Sequence, residues 1–246
     1  MICYVDMEHE RALLEPHEKV AHEAHCADIK RKLEDTSQVE CVVRPYSRVT
    51  QGWLDALAVQ AVVLSGNVTD WAEYSEAELR GVVGVVRQAA LPVLGLCGGL
   101  QLLAIAHGAP MGPMRRLEAD EEDPDDDYAP GYYKEWGFRP VRIVKPDPLF
   151  DGLAAPVFLE AHYFEVQELP RDFELLASTD VCRIQAMKQI GKPIYGAQFH
   201  PEAYIVSPLD RNGWLVNLVY PEGYTARQPD GRTLLRNFFR LAGVLG

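Results

Sequence analysis

Cys97 stands in the run Leu94-Gly95-Leu96-Cys97-Gly98-Gly99-Leu100-Gln101, where an apolar strand-like segment ends at the thiol and an apolar helix-like segment leaves it. A nucleophile on so sharp a strand-to-helix turn sits in a strained backbone. Its neighbours two positions away must be small for strand and helix to approach, and Gly95 and Gly99 meet that need. Placed at a helix N-terminus, the thiolate is favoured by the dipole and by unpaired N–H groups. A thiol that attacks an amide also needs a base, and the base needs a group to fix its tautomer. His200-Pro201-Glu202 supplies both, 103 residues after the cysteine (200 − 97), at the end of the strand-like run Pro193–Phe199. These residue types point to nucleophilic catalysis by a thiol whose base returns the proton to a leaving amine.

Elements that could hold such groups alternate through the first half. Ile2–Val5, Val39–Arg44, Ala61–Leu64 and Pro92–Leu96 read as strands. Glu18–Leu33, with a weak stripe of Val20, Ala24, Ala27 and Leu33, reads as a helix, as do Glu76–Ala90 and Gly99–His107. Strands apolar on both faces and separated by helices predict a parallel sheet covered on each side, joined by right-handed crossovers. The second half reads as antiparallel, with strands at Phe138–Val144, Val157–Val166, Phe173–Ser178, Arg183–Met187 and Pro193–Phe199. A closing helix over Thr233–Leu241 carries Leu234, Leu235, Phe238, Phe239 and Leu241 on its apolar face. Glu118–Asp127 is a run of carboxylates that self-repel and reads as a solvated loop; it lacks the spaced ligands and central glycine of a calcium loop. Ala203–Asp230, with several prolines and glycines, reads as a long excursion. With no repeat and no clear linker, residues 1–246 are expected to form one α/β domain, its central sheet largely parallel and flanked by helices.

The 246 residues carry 36 acidic and 24 basic side chains, a net charge of −12. That balance argues against a nucleic-acid surface. The longest apolar runs, such as Ala89–Leu96, fall far short of the roughly 20 residues that span a bilayer, so no membrane partner is expected. The start, Met-Ile-Cys-Tyr-Val-Asp, shows no secretion signal, and five cysteines without a C-x-x-C pair suggest reduced thiols in the cytoplasm. His22, His25 and Cys26 have metal-ligand spacing but read as an exposed helix face, and neither a metal nor a cofactor is expected.

Taken together, Gly95-Leu96-Cys97-Gly98-Gly99-Leu100-Gln101 and Gln198-Phe199-His200-Pro201-Glu202 resemble the G-x-C-x-G-x-Q and Q-F-H-P-E motifs of the class I (triad) glutamine amidotransferases. The resemblance runs from Ile2 to the second motif and includes the closing helix. It implies a flavodoxin-like class I fold, with Cys97 as the nucleophile that forms a γ-glutamyl thioester, His200 as general base and acid, and Glu202 as its orienting carboxylate. The N–H of Gly98 is implied as one oxyanion donor, and Gln101 as a contact for the amino-acid end of glutamine. A second donor in that family comes from an S-G-G-P turn. Here the turn is Ser65-Gly66-Asn67-Val68, so Gly66 or Asn67 is the implied donor, and Asn67 would use its tolerance of the left-handed region. His162 and Tyr163 fall where relatives line the glutamine pocket. Lys134-Glu135-Trp136-Gly137 resembles a family segment to which no role is assigned.

The implied activity is hydrolysis of glutamine to glutamate and ammonia. No G-x-x-x-x-G-K-[ST] phosphate loop and no second large domain are visible, so an ammonia-accepting synthase would be a separate subunit, or absent. Hydrolysis of another γ-glutamyl amide or peptide by the same three residues is the alternative within enzymes. A non-catalytic regulatory homologue is the alternative outside them.

Overall fold

The computed structural model describes residues 1–203 and 230–246. In the first half β1 (Ile2–Asp6), α1 (Pro16–Ser37), β2 (Cys41–Pro45), α2 (Gln51–Ala56), β3 (Ala61–Leu64), α3 (Glu76–Gln88), β4 (Val93–Leu96) and α4 (Gly98–Ala106) alternate. Then follow β5 (Met111–Pro113), β6 (Glu135–Pro140), β7 (Arg142–Ile143), β8 (Val157–His162), β9 (Phe164–Val166), β10 (Phe173–Ser178), β11 (Ala186–Gln189), β12 (Ile194–Ala197) and α5 (Asp230–Leu241). The excursion read over Ala203–Asp230 lies, from 204 to 229, outside the described residues.

The main sheet runs β2-β1-β3-β4-β12-β11-β10-β7. Its first five strands are parallel and the last three antiparallel. Successive side chains of β1 show why both faces must be covered. Ile2 and Tyr4 join a core with Ile29, Leu33, Phe238 and Phe239 of α1 and α5. Cys3 and Val5 join the opposite core with Val82, Val86, Leu100 and Leu103 of α3 and α4. This is the period-2 alternation of a strand buried on both sides.

Three expectations need correction. Pro193–Phe199 reads as one of the antiparallel strands, yet β12 pairs in parallel with β4 (Ile194 opposite Val93, Ala197 opposite Leu96) and antiparallel only with β11. The β11–β12 hairpin, turning at Gly191 with φ 73°, carries the chain back into the centre of the sheet. Phe138–Val144 divides at Pro140, which has no N–H to continue a ladder: β6 pairs with β8, whereas β7 pairs with β10. Val157–Val166 divides at Tyr163, after which β9 pairs with β5.

Helix α1 is longer than its pattern predicts and buries a different face. Val20 is 66% exposed, whereas His22, Cys26, Ile29 and Leu33 face the sheet. The sequence pattern hides this stripe because it opens on a histidine. His22 Nε2 lies 2.9 Å from Asp6 Oδ2 and 3.4 Å from Cys26 Sγ, so the pair His22/Cys26 is buried rather than on an exposed face. Burial pulls the imidazole down, but hydrogen bonds to Asp6 and Cys26 outweigh it and push it up to about 10. A folded value above that of a free imidazole gives stability that is complete below about pH 6.5 and lost as pH rises through about 10. His22→Gln should therefore cost on the order of 2–4 kcal/mol near neutral pH. In urea titrations the gap between the two proteins should narrow toward pH 10; a gap independent of pH would contradict the assignment.

Glu118–Asp127 forms neither helix nor strand, as expected, but it is pinned rather than free. Arg115 grips Glu121 through two bonds, and Asp123 accepts from the buried Lys134 and from the Gly131 N–H. This anchoring brings Tyr128, immediately after the run, over the end of the sheet where Cys97 lies.

Candidate active site

The two motifs meet because β4 and β12 are adjacent and in register. Ala197 lies opposite Leu96, and the Cys97 N–H donates to the Ala197 carbonyl at 2.7 Å. The residues that follow each strand emerge together at the C-terminal end of the parallel strands. Cys97 has φ 50° and ψ −107°, a conformation costly for a residue with a Cβ and typical of a nucleophile held on a tight turn. The flanking glycines are a steric necessity: a Cβ on Gly95 would lie 2.4 Å from the Gly99 carbonyl oxygen, and one on Gly99 would lie 2.6 Å from that of Leu64.

His200 follows β12 and is fixed by its N–H to the Leu159 carbonyl at 2.8 Å. Its Nδ1 lies 2.8 Å from Glu202 Oε1, and Glu202 is itself buried. Burial pulls the His200 imidazole down, but the charges of Glu202 and Cys97 and hydrogen bonds to both raise it well above the ordinary value. The arrangement can take a proton from a thiol and hold it for a leaving group. Cys97, His200 and Glu202 are thus brought together.

The turn after β3 closes the other side. A Cβ built on Gly66 would meet His200 Cε1 at 3.2 Å and Cys97 Cβ at 3.3 Å, so this backbone lies against both. Asn67 differs from expectation. Positive φ at non-glycine residues occurs, among the described residues, at Gln38, Ala58, Ala89, Cys97 and Ala129, so Asn67 does not use the left-handed region. The turn is held instead by side chains. Asn67 Nδ2 donates to the Thr69 carbonyl at 2.7 Å, and Glu8 accepts from Val68 N–H at 2.8 Å and from the Thr69 hydroxyl at 2.6 Å. Asn67 Oδ1 occupies the place a Cβ of Gly98 would take, 1.7 Å from that position, and is buried without a hydrogen-bond partner. Glu8 is not singled out by the sequence, since an acidic residue after a strand carries no signature.

A cleft of about 340 Å3, open mouth included, is lined by Asn67, Asp70, Trp71, Cys97, Tyr128 and Tyr163, with Gln101 and His162 deeper in. Gln101 is occupied by protein partners. Its Oε1 accepts from Trp71 Nε1 at 2.7 Å, and its Nε2 donates to the Phe164 carbonyl at 2.9 Å and to Gln198 Oε1 at 3.3 Å. Gln198 Nε2 lies 3.5 Å from Cys97 Sγ, which completes a relay from Trp71 to the thiol. Tyr163 donates to Asp70 at 3.4 Å and meets Tyr128 edge-on, with ring centroids 5.2 Å apart. Neither Trp71 nor Tyr128 is marked in the sequence: Trp71 opens a short 3-10 helix, Trp71–Glu73, and Tyr128 reaches the cleft from a loop. Two groups of metal-ligating side chains lie within 4.8 Å among the described residues: Asp6, His22 and Cys26, and Glu135, His162 and Cys182.

The family model described as glutamine amidotransferase class-I matches residues 27–211. The glutamine-hydrolyzing subunit of GMP synthase from Methanocaldococcus jannaschii is 34% identical over 145 residues, covering 58% of this chain and 65% of that protein. The protein of the same name from Archaeoglobus fulgidus is 36% identical over 120 residues, covering 48% and 56%. The matches thus span between 56% and 65% of these archaeal relatives. Among solved structures, one described as a GMP synthase subunit from Thermoplasma acidophilum superposes with a TM-score of 0.63 at 22% identity, over 99% of this chain and 94% of that one. A glutamine amidotransferase from Thermotoga maritima superposes with a TM-score of 0.53 at 16% identity, over 82% and 76%. Both likenesses concern the fold. Among the described residues no helix is long and apolar enough to cross a membrane.

Proposed function

The chain belongs to the class-I glutamine amidotransferase family, and from that premise we propose that it hydrolyses the side-chain amide of glutamine and passes the ammonia to a separate synthase subunit. The observation that carries this reading is the convergence of Cys97 with the His200–Glu202 pair across the β4–β12 register. His200 takes the Cys97 thiol proton as Sγ attacks the amide carbon, and the carbonyl electrons move onto oxygen. The Gly98 N–H and one N–H of Gly66–Asn67 receive that oxyanion; such a donor is typically worth about 3–4 kcal/mol in the transition state. Collapse breaks the C–N bond, His200 delivers its proton to the departing nitrogen, and a γ-glutamyl thioester remains. Water then attacks the thioester carbonyl and its proton passes to His200; the C–S bond breaks with its electron pair returning to Cys97, which recovers the proton from His200, and glutamate leaves. Glu202 keeps the imidazole oriented in both halves. His162 and Tyr163 line the pocket, and Gln101 acts by holding the relay to the thiol. Five free cysteines fit a reducing, cytoplasmic setting.

The named relatives are subunits, which supports a partner that uses the ammonia. The unpartnered Asn67 Oδ1 beside Gly98 opposes a developing oxyanion, so basal turnover should be low until the turn shifts. If about 1% of molecules are competent, turnover falls roughly a hundredfold, and a partner that prefers that state restores it. Asn67→Gly should raise the ammonia release of the isolated chain about tenfold or more. Ammonia release would be measured on glutamine, γ-glutamyl peptides and γ-glutamyl amines, with and without the synthase component of a GMP synthase. Preference for a γ-glutamyl peptide would replace glutamine as substrate. Loss of turnover on all of them, with no labelling of Cys97 by a glutamine-like electrophile, would leave a non-catalytic homologue.

A further inference from the structure

Behind the cleft, pairing of β6 with β8 sets Glu135 opposite His162, and Glu160, two residues earlier on β8, projects from the same face. Cys182 joins them from the connection between β10 and β11. All four are at most 3% exposed. The His162 ring is held with one nitrogen toward the backbone and the other toward the carboxylates. Its Nδ1 lies 3.2 Å from the Phe164 carbonyl, which leaves Nε2 aimed at Glu135 Oε2 at 3.1 Å and Glu160 Oε2 at 3.3 Å. A backbone carbonyl on the second ring nitrogen is the usual outer support of a ligating histidine. Gln185 Nε2, 2.5 Å from Glu135 Oε2, supplies the same kind of support to the carboxylate.

Glu160 is fully buried; its Oε1 has no hydrogen-bond partner, and its Oε2 has the His162 imidazole at 3.3 Å. A buried carboxylate oxygen left unpaired is costly, and a cation is a species that would satisfy it. Two carboxylates face one imidazole here, and a divalent ion would offset the negative charge that the imidazole leaves unmatched.

We propose that Glu135, Glu160, His162 and Cys182 form a binding site for a transition-metal ion of the Zn2+ class, set behind the substrate cleft. Nitrogen, sulfur and carboxylate donors together select zinc or cobalt over magnesium or calcium, which take oxygen donors alone. The donor atoms of Glu135, His162 and Cys182 lie within 4.8 Å of one another, against about 3.5 Å between ligands of a tetrahedral zinc, so modest side-chain contraction closes the site. On binding, the Cys182 thiol proton and any proton on His162 Nε2 pass to solvent, and the thiolate and imidazole lone pairs take the metal. The inference does not depend on glutamine chemistry.

The test uses the whole chain carrying Cys97→Ala, so that the cleft thiol cannot compete. Titration with Co2+ should give one equivalent with a thiolate-to-metal charge-transfer band in the near ultraviolet. Cys182→Ser should abolish that band and weaken Zn2+ binding, measured against a chromogenic chelator, by at least tenfold. Glu160→Gln, which retains the side chain's shape, should weaken Zn2+ as well, and so reports on the site even if Cys182→Ser folds poorly. A band that survives Cys182→Ser would overturn the proposal, as would a band lost in Cys26→Ser instead, which would place the ion at Asp6, His22 and Cys26. Absence of stoichiometric binding would equally overturn it.

Discussion

Replacing Cys97 by serine is expected to reduce glutamine hydrolysis by about a thousandfold or more, to the level of Cys97→Ala. A serine hydroxyl in this geometry meets the same imidazole but ionises far less readily than a thiol, so the intermediate does not accumulate. His200→Ala should be nearly as damaging, because the thiol then has no base and the departing nitrogen has no proton donor when the C–N bond breaks. The double variant should be little worse than either single one, since the two groups act as a unit. Glu202→Gln should retain more activity, since on the proposed mechanism Glu202, 2.8 Å from His200 Nδ1, orients the ring without reacting. Mass spectrometry after incubation with a glutamine-like electrophile should show a covalent adduct on wild type that is absent from both Cys97 variants. Wild-type turnover in Cys97→Ser would end the thioester mechanism.

Gly95→Ala is expected to prevent stable folding. The new Cβ would lie 2.4 Å from the Gly99 oxygen, 2.5 Å from its carbonyl carbon and 2.8 Å from the Leu100 nitrogen, all backbone atoms that cannot swing aside. Strand β4 and helix α4 would have to separate at the centre of both cores, at a cost above about 3 kcal/mol. The fitting control is Gly84→Ala in α3, where no atom lies within 4 Å of the added methyl group and helix propensity alone should stabilise by about 0.5–1 kcal/mol. Chemical denaturation of the pair should move the midpoint in opposite directions. A Gly95→Ala protein as stable as wild type would mean that the tight approach of strand and helix is not required.

The strands and helices around Cys97 were legible because their signals are local. Ala61–Leu64 is an uninterrupted apolar run, and the glycine spacing around Cys97 states a steric condition that the backbone then obeys. Less could be read where the deciding partner is distant. Nothing in Pro193–Phe199 says that it will lie beside β4 rather than end a meander, since that choice is made by the β11 hairpin and the vacant flank of the sheet. The buried face of α1 escapes detection because His22 counts as polar until Asp6 is seen beneath it. Asn67 suggests a left-handed backbone by residue type, whereas Glu8, some sixty residues away, holds its turn through the neighbouring Val68 and Thr69. Tyr128 is hidden by the acidic run before it, whose anchoring by Arg115 and Lys134 is a tertiary fact.

The seating of β12 between β4 and β11 also sets a timetable for the chain as it is made. Cys97 leaves the ribosome 103 residues before His200 (200 − 97), an interval of roughly 5–20 s at about 5–20 residues per second. Through that interval β4 has a neighbour on one side only, and the thiol has neither its base nor the Ala197 carbonyl that receives its N–H. On the proposed mechanism the nascent protein therefore carries an unactivated cysteine past the ribosome exit, and its reactivity would be conferred in one late event, when the returning hairpin fills the gap in the sheet.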